Sequence, residues 1–307
     1  SFSLKSTLLR KSKPRLRATL TLWIYLFTSV LITAEAPLKR FEFSQPQMGV
    51  PFKIILYAAD VAQAKKVVTA AYARISVLNA ILSNYETDSE LSQLGYQSGI
   101  QGWTPVSNDL FRIISRSQRL SQITDGAFDL TIGPVAASWR NARRTKMFPK
   151  KDQLRRFLGR VGWQHVKVDY SRRQIYLNST GMRLDPGGIA KGDALDQALV
   201  VLQQHGIKSA LVAGAGDIAV TAPPPGREAW RIQLSEFNEK ADHLPTHVHL
   251  KNQAIATSGD LFQFVELDGI RYSHIVDPKS GIGLTERRLV SVIAPKGIEA
   301  DSLATAL

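Results

Sequence analysis

Apolar residues recur along the chain with spacings that name its elements. Residues 52–58 form a short, largely apolar run suited to a strand. Val61, Val67, Val68, Ala71, Ile75, Leu78 and Leu82 then mark one face of a long amphipathic helix ending near Ser83. The polar stretch Tyr85-Glu86-Thr87-Asp88-Ser89-Glu90 leads into a short helix. Ser107 is placed to cap another, with Leu110, Ile113, Ile114 and Leu120 on one face and Thr124-Asp125-Gly126 as its stop. Residues 165–168 and 174–177 read as the arms of a hairpin around a polar turn. The pattern predicts a helix over residues 190–204 and a buried strand over 209–212. Further strands are expected at 230–234, 247–255 and 288–293. Hairpins mixed with segregated helices predict an α+β domain with largely antiparallel sheets and its ligand cleft between two lobes, not a parallel doubly wound sheet.

The first 36 residues follow a different pattern. Lys5, Arg10, Lys11, Lys13, Arg15 and Arg17 form a basic region, residues 20–34 carry no charge, and Ala34-Glu35-Ala36 has the small–x–small form of a cleavage site. These are the three parts of a secretory signal peptide, and the apolar run is short for a membrane span. An uncleaved membrane anchor is the alternative. Residues 37–307 are then expected to form one domain, exported to the periplasm or the outer face of the inner membrane. The chain has no cysteine, so neither a lipid-modified cysteine nor a disulfide is expected. Of the net charge of +13, residues 1–36 supply +5 (six basic residues and Glu35), which leaves +8. Much of the remainder lies within residues 140–156, with no pattern that would stack bases. That stretch reads as solvated helix and loop faces, and no nucleic-acid partner is expected.

Candidate chemistry gathers late in the chain. Asp301 and Thr305, at i and i+4, would stack a carboxylate and a hydroxyl on one helix face, a pairing that suits a hard cation such as Mg2+. Ser273-His274-Ile275-Val276-Asp277-Pro278 offers an imidazole near a carboxylate. Leu184-Asp185-Pro186-Gly187-Gly188-Ile189-Ala190-Lys191-Gly192 places an acid, a glycine turn and a lysine at a helix start, where a phosphate or ribose site and a plain cap are both open readings. Together these point to chemistry on a phosphorylated ligand. Residues 124–134 crowd turn formers around Phe128 and two acids, as a tight loop or a ligand site. Gly214-Ala215-Gly216-Asp217 lacks the third glycine and the βαβ setting of a Rossmann loop. His243, His247 and His249 read as surface residues, since no cysteine or spaced acid completes a zinc set.

Eight segments in this order resemble one family. They are residues 45–49, 82–85, 124–134, 184–192, 214–217, 256–260, 273–278 and 300–306. The set is similar to the FAD:protein FMN transferases, the ApbE or thiamine-biosynthesis-lipoprotein-like family, and spans residues 43–307. The resemblance implies a flavin site made of Met48, Tyr85, Ala127, Phe128, Asp129, Asp185, Lys191 and His274. It implies Mg2+ held by the Gly188 carbonyl, Asp301 and Thr305, with FAD as substrate. Such proteins cleave FAD, release AMP and attach FMN by a phosphoester to a threonine of an acceptor protein, here expected to be a membrane redox subunit. His274 is the expected base, paired with Asp277 or Asp260. Hydrolysis of FAD to FMN and AMP, or non-catalytic flavin binding in the periplasm, would use the same cleft. Three departures accompany the resemblance. Ala215 replaces the first of two glycines, no cysteine ends the leader, and the chain stops at Leu307 where the family continues, so an incomplete C-terminus is expected.

Overall fold

The computed structural model describes residues 37–234, 247–259 and 263–307; the expected signal peptide, His243 and Asp260 lie outside the described residues. In chain order the elements begin with β1 (Lys39–Gln47), β2 (Val50–Ala58), α1 (Val61–Leu82), α2 (Glu90–Tyr96), β3 (Thr104–Pro105), α3 (Asn108–Ile123), α4 (Gly133–Thr145) and α5 (Lys151–Leu158). They continue with β4 (Val166–Asp169), β5 (Gln174–Leu177), α6 (Ala190–Gln204), β6 (Ala210–Gly214), β7 (Asp217–Val220), β8 (Trp230–Gln233) and β9 (His247–Leu250). The last are β10 (Ala254–Gly259), β11 (Phe264–Leu267), β12 (Ile270–Ser273), β13 (Leu289–Ala294) and α7 (Gly297–Ala306).

A six-stranded sheet in the order β1-β2-β6-β7-β10-β13 forms the frame, and every neighbouring pair in it is antiparallel. Side-chain alternation decides its two faces. Phe52, Ile54 and Leu56 of β2, with Ala210 and Val212 of β6, join the large core that α1, α6 and α7 cover. The intervening Ile55, Tyr57 and Leu211 face the opposite way, toward Trp230 and Ile232 of β8 and Leu250 of β9. A third, smaller core joins Val135, Trp139 and Ala142 of α4 to Leu154 of α5 and to Val265 and Leu267 of β11. The α+β class expected from the sequence is therefore the class observed, and the functional cleft lies beside this small core.

Local chemistry explains the boundaries. Asp60 accepts the Gln63 N–H at 2.8 Å at the start of α1, and Ser107 accepts the Leu110 N–H at 3.2 Å at the start of α3. The glycine-rich 214–217 segment is the β6–β7 hairpin turn, with Ala215 (φ 53°) and Gly216 (φ 95°) both left-handed. The strand expected over 247–255 is in fact two, β9 and β10. Asn252 turns left-handed (φ 51°) and its N–H bonds to the Thr221 carbonyl at 3.1 Å, which separates β9, paired with β8, from β10 in the six-stranded sheet. Strand β1 escapes a hydropathy reading because it is an edge strand carrying Arg40, Glu42 and Pro46.

Candidate functional site

A cleft of about 510 Å³ opens between the large core and the small one. Its two ends are built differently.

The charged end is assembled by the packing of α6 against α7. Gly192 approaches Gly297 so closely that a Cβ on Gly192 would lie 2.1 Å from the Gly297 carbonyl oxygen and 2.7 Å from Asp301 Cβ. Asp196 of α6 receives the N–H groups of Gly297 and Ile298 at 2.8 and 3.0 Å, capping α7 from its neighbour. This fixes Asp301, 2 % exposed, with Oδ2 accepting the Gly192 N–H at 2.9 Å and Oδ1 3.8 Å from Lys191 Nζ. Burial pushes the Asp301 carboxyl up, while Lys191 pulls it back. In return Asp301, against the opposing effect of burial, holds Lys191 protonated beyond its usual range. Lys191 Nζ also donates to the Gly187 carbonyl at 2.9 Å. One turn after Asp301, Thr305 Oγ1 lies 3.3 Å from Ser258 Oγ, and the Gly188 backbone packs directly on the Thr305 side chain.

Gly188, Asp301 and Thr305 are thus brought together, offering a carbonyl, a carboxylate and a hydroxyl. That all-oxygen set fits Mg2+, which takes one or two carboxylates and completes its shell with water or phosphate. Among the described residues no group of three or more His, Cys, Asp or Glu forms a metal cluster. A cation here would depend on the backbone, the hydroxyl and its ligand. Asp217, at the start of β7, lines the same end. Burial first, and Asp301 next, push its carboxyl up to about 8 against the pull of Lys191.

The other end consists of longer, more exposed groups. Tyr85 is 73 % exposed, and the Arg140 guanidinium sits 5.2 Å from the centre of its ring. Arg140 Nη1 also bonds Asp185 Oδ2 at 2.7 Å, while Asp185 Oδ1 accepts the Gly187 N–H at 3.0 Å. Arg143 donates to the Gln263 side chain at 2.9 Å, and burial makes its guanidinium less basic than usual. Ala127 and Phe128 line the cleft, Phe128 with most of its ring in the large core. Asp129 lines it too, yet its carboxylate braces the loop: it accepts from the Thr131 N–H and hydroxyl at 2.8 and 2.7 Å and from the Trp163 N–H at 2.9 Å. His274 stands on the opposite wall, with Nδ1 3.1 Å from the Gln263 carbonyl oxygen. A carbonyl can only accept, so Nδ1 carries the proton and Nε2 the lone pair in the neutral ring.

Two expectations need correction. Asp277 is not turned to His274: its two oxygens accept the Lys279 and Ser280 N–H groups at 3.0 and 3.1 Å, which fixes the loop after the imidazole. Arg140 and Arg143 are not solvated charges but cleft walls. Ala136, Trp139, Arg140 and Arg143 share one α4 face at i, i+3, i+4 and i+7, a periodicity present in the sequence but hidden by the basic run. Of the flavin- and metal-site residues implied by the resemblance, Met48 alone is outside the cleft lining. It forms the β1–β2 turn with Gly49 and packs on the large core.

Fold and cleft together define an antiparallel α+β domain equipped for a phosphorylated ligand, distinct from a Rossmann dinucleotide binder. The chain belongs to the ApbE family, which matches it over residues 48–307. It is 28 % identical over 291 residues to the FAD:protein FMN transferase of Vibrio cholerae serotype O1, covering 93 % of this chain and 86 % of that protein. It is 31 % identical over 233 residues to the enzyme of the same name from Escherichia coli strain K12, covering 74 % and 66 %. The solved flavin transferase ApbE from Vibrio cholerae superimposes with a TM-score of 0.78 at 28 % identity, covering 88 % of this chain and 86 % of that one.

Proposed function

We propose that this protein is an FAD:protein FMN transferase that joins FMN by a phosphoester to a threonine hydroxyl of an acceptor protein and releases AMP. The observation that carries the reading is the two-ended cleft: an oxygen cluster with a protonated lysine at one end, and an aromatic ring, guanidinium groups and an imidazole at the other. The diphosphate of FAD belongs at the charged end, where Lys191 offers a positive charge and the Gly188 carbonyl, Asp301 and Thr305 would hold Mg2+. When bound, that cation supplies neutralisation of the charge on the diphosphate oxygens, the main electrostatic need of phosphoryl transfer. Tyr85 and the cleft-lining part of the buried Phe128 offer apolar surface to a flavin or adenine ring. His274 Nε2 takes the proton of the threonine hydroxyl as its oxygen bonds to the FMN-side phosphorus. The bond from that phosphorus to the bridging oxygen breaks, and AMP leaves with the oxygen. The basic and apolar pattern of residues 1–36 supports an exported enzyme, with acceptors among membrane redox subunits.

Incubating the purified protein with FAD, with Mg2+ or with chelator, and with or without a threonine-bearing acceptor, tests each part. Covalent flavin on the acceptor and stoichiometric AMP, both lost with chelator, are expected. FMN and AMP formed equally with and without acceptor would instead indicate a hydrolase, and unchanged FAD a carrier. Replacing the acceptor threonine by alanine is expected to abolish labelling.

A further inference from the structure

One acidic group at the charged end has no role in that reading. Asp217 opens β7 directly after the Ala215–Gly216 turn, and all three residues line the cleft. It is 3 % exposed. Its Oδ1 receives a long 3.4 Å bond from the Thr257 N–H, and its Oδ2, also buried, has no hydrogen-bond partner. No cation pairs with it among the described residues. Lys191, the nearest candidate, is engaged by the Gly187 carbonyl and by Asp301. Buried carboxylates are ordinarily hydrogen-bonded, ion-paired or bound to a metal, and an orphaned oxygen therefore points to a missing partner.

The cleft supplies the place for one. Asp301 acts on the Asp217 carboxyl electrostatically, and Asp217, Asp301 and Thr305 line the same cleft. We propose that Asp217 is a further ligand of the divalent cation held by Asp301 and Thr305, its Oδ2 binding directly or through one metal-bound water. Two carboxylates, a hydroxyl and a carbonyl stay within what Mg2+ accepts while leaving positions for phosphate oxygens. The inference rests on the cation placement given above. It adds a residue whose only apparent structural work, the bond from Thr257, an asparagine would do equally well.

That equivalence provides the test. Mn2+ binding, followed by electron paramagnetic resonance of the free ion, is measured for wild type, Asp217→Asn and Asp301→Asn without FAD. FAD binding is measured separately in chelator by flavin fluorescence. Asp217→Asn is expected to weaken Mn2+ binding about 10- to 100-fold, in the range of outer-ligand losses, and to leave metal-free FAD binding unchanged. Asp217→Glu is expected to recover part of the metal affinity. Wild-type Mn2+ affinity in Asp217→Asn, with loss in Asp301→Asn, would overturn the inference and keep the cation placement. Unchanged affinity in both variants would overturn both. If Asp217→Asn does not fold, Asp217→Ser, which removes the charge without adding a donor amide, is read by the same criteria.

Discussion

The two ends of the cleft differ in how their geometry is held. At the charged end the groups are tied to backbone: the buried Asp301 to the Gly192 N–H, and the half-buried Lys191 to the Gly187 carbonyl and Asp196 to the first turn of α7. At the other end they are long and more exposed, and hold one another: Arg140 on Tyr85 and Asp185, Arg143 on Gln263. A fixed end suits charge stabilisation, where a small displacement is costly. An adjustable end suits the entry of a flavin and then of a polypeptide.

The sharpest way to break this comparison is to disable the fixed end without disturbing its packing. Asp301→Asn keeps an oxygen for the Gly192 N–H but removes the charge. Mg2+-dependent AMP release is expected to fall about 10²- to 10³-fold, the scale of a lost electrostatic contact in a transition state. FAD affinity, measured in chelator, should change much less. Near-normal metal-dependent turnover would show that the cation is held elsewhere. Next in size is the packing itself. Gly192→Ala forces a methyl against the Gly297 backbone, and neither partner is the free end of a side chain. Urea unfolding is expected to show a loss of about 3 kcal/mol, the upper range for overpacking; a loss below about 1 kcal/mol would mean that α6 and α7 can slide apart.

The helices behind the fixed end are also joined by charge. Arg74 of α1 bonds both Asp109 oxygens at 2.7 and 2.6 Å, and Arg112 joins Asp109 at 2.7 Å and Asp193 of α6 at 2.7 and 2.8 Å. The Arg74 bonds, opposed by burial and helped by Arg112, hold the Asp109 carboxyl below its usual range. A carboxylate depressed in the folded state stabilises it above the unfolded pKa, near 3.9, and that contribution disappears as pH falls through the folded value. Wild-type stability should therefore drop below about pH 4 more steeply than that of Asp109→Asn. At neutral pH the variant should be about 2 kcal/mol less stable, as for a lost charged hydrogen-bond pair. Parallel acid titrations of the two proteins would sink this reading.

The adjustable end should respond differently. Arg140→Ala removes one partly exposed ion pair and one contact to an exposed ring, each worth about 1 kcal/mol or less. KM for FAD is expected to rise about fivefold, with thermal stability nearly unchanged. A large loss of stability would mean that this end is as rigid as the other.

The same division governs what the sequence could reveal. Asp301 and Thr305 were legible because helix periodicity alone puts them on one face, and the bounds of α6 and the Ser107 cap follow from local rules. The periodicity of the Arg140 face is present in the sequence too, but which way that face turns depends on contacts far along the chain. Trp139 Nε1 bonds the Gly281 carbonyl at 2.8 Å and so turns that α4 face to the cleft. Asp217 reads as the end of a glycine turn, and the groups that act on it, Thr257 and Asp301, lie far along the chain, where no local pattern announces them. The β11–β12 hairpin carries its own turn signal in Asp268-Gly269, both left-handed, and shows that a short local cue is easily passed over between longer runs.

The smallest expected effect concerns the turn where the fixed end meets the cleft. Ala215 occupies a left-handed conformation (φ 53°) that costs an L-residue with a Cβ about 1–2 kcal/mol and glycine almost nothing. Glycine, however, adds freedom to the unfolded chain and gives back about 0.4–1 kcal/mol of the gain. Both terms apply to one site with no lost side-chain bond, so Ala215→Gly should stabilise the protein by about 0.5 kcal/mol. The denaturant midpoint should rise at unchanged slope, since the surface exposed on unfolding stays the same. A fall in the midpoint would mean that the Ala215 methyl makes packing contacts at the cleft wall that outweigh the relief of backbone strain. The turn would then belong with the rigidly packed end of the site rather than marking its edge.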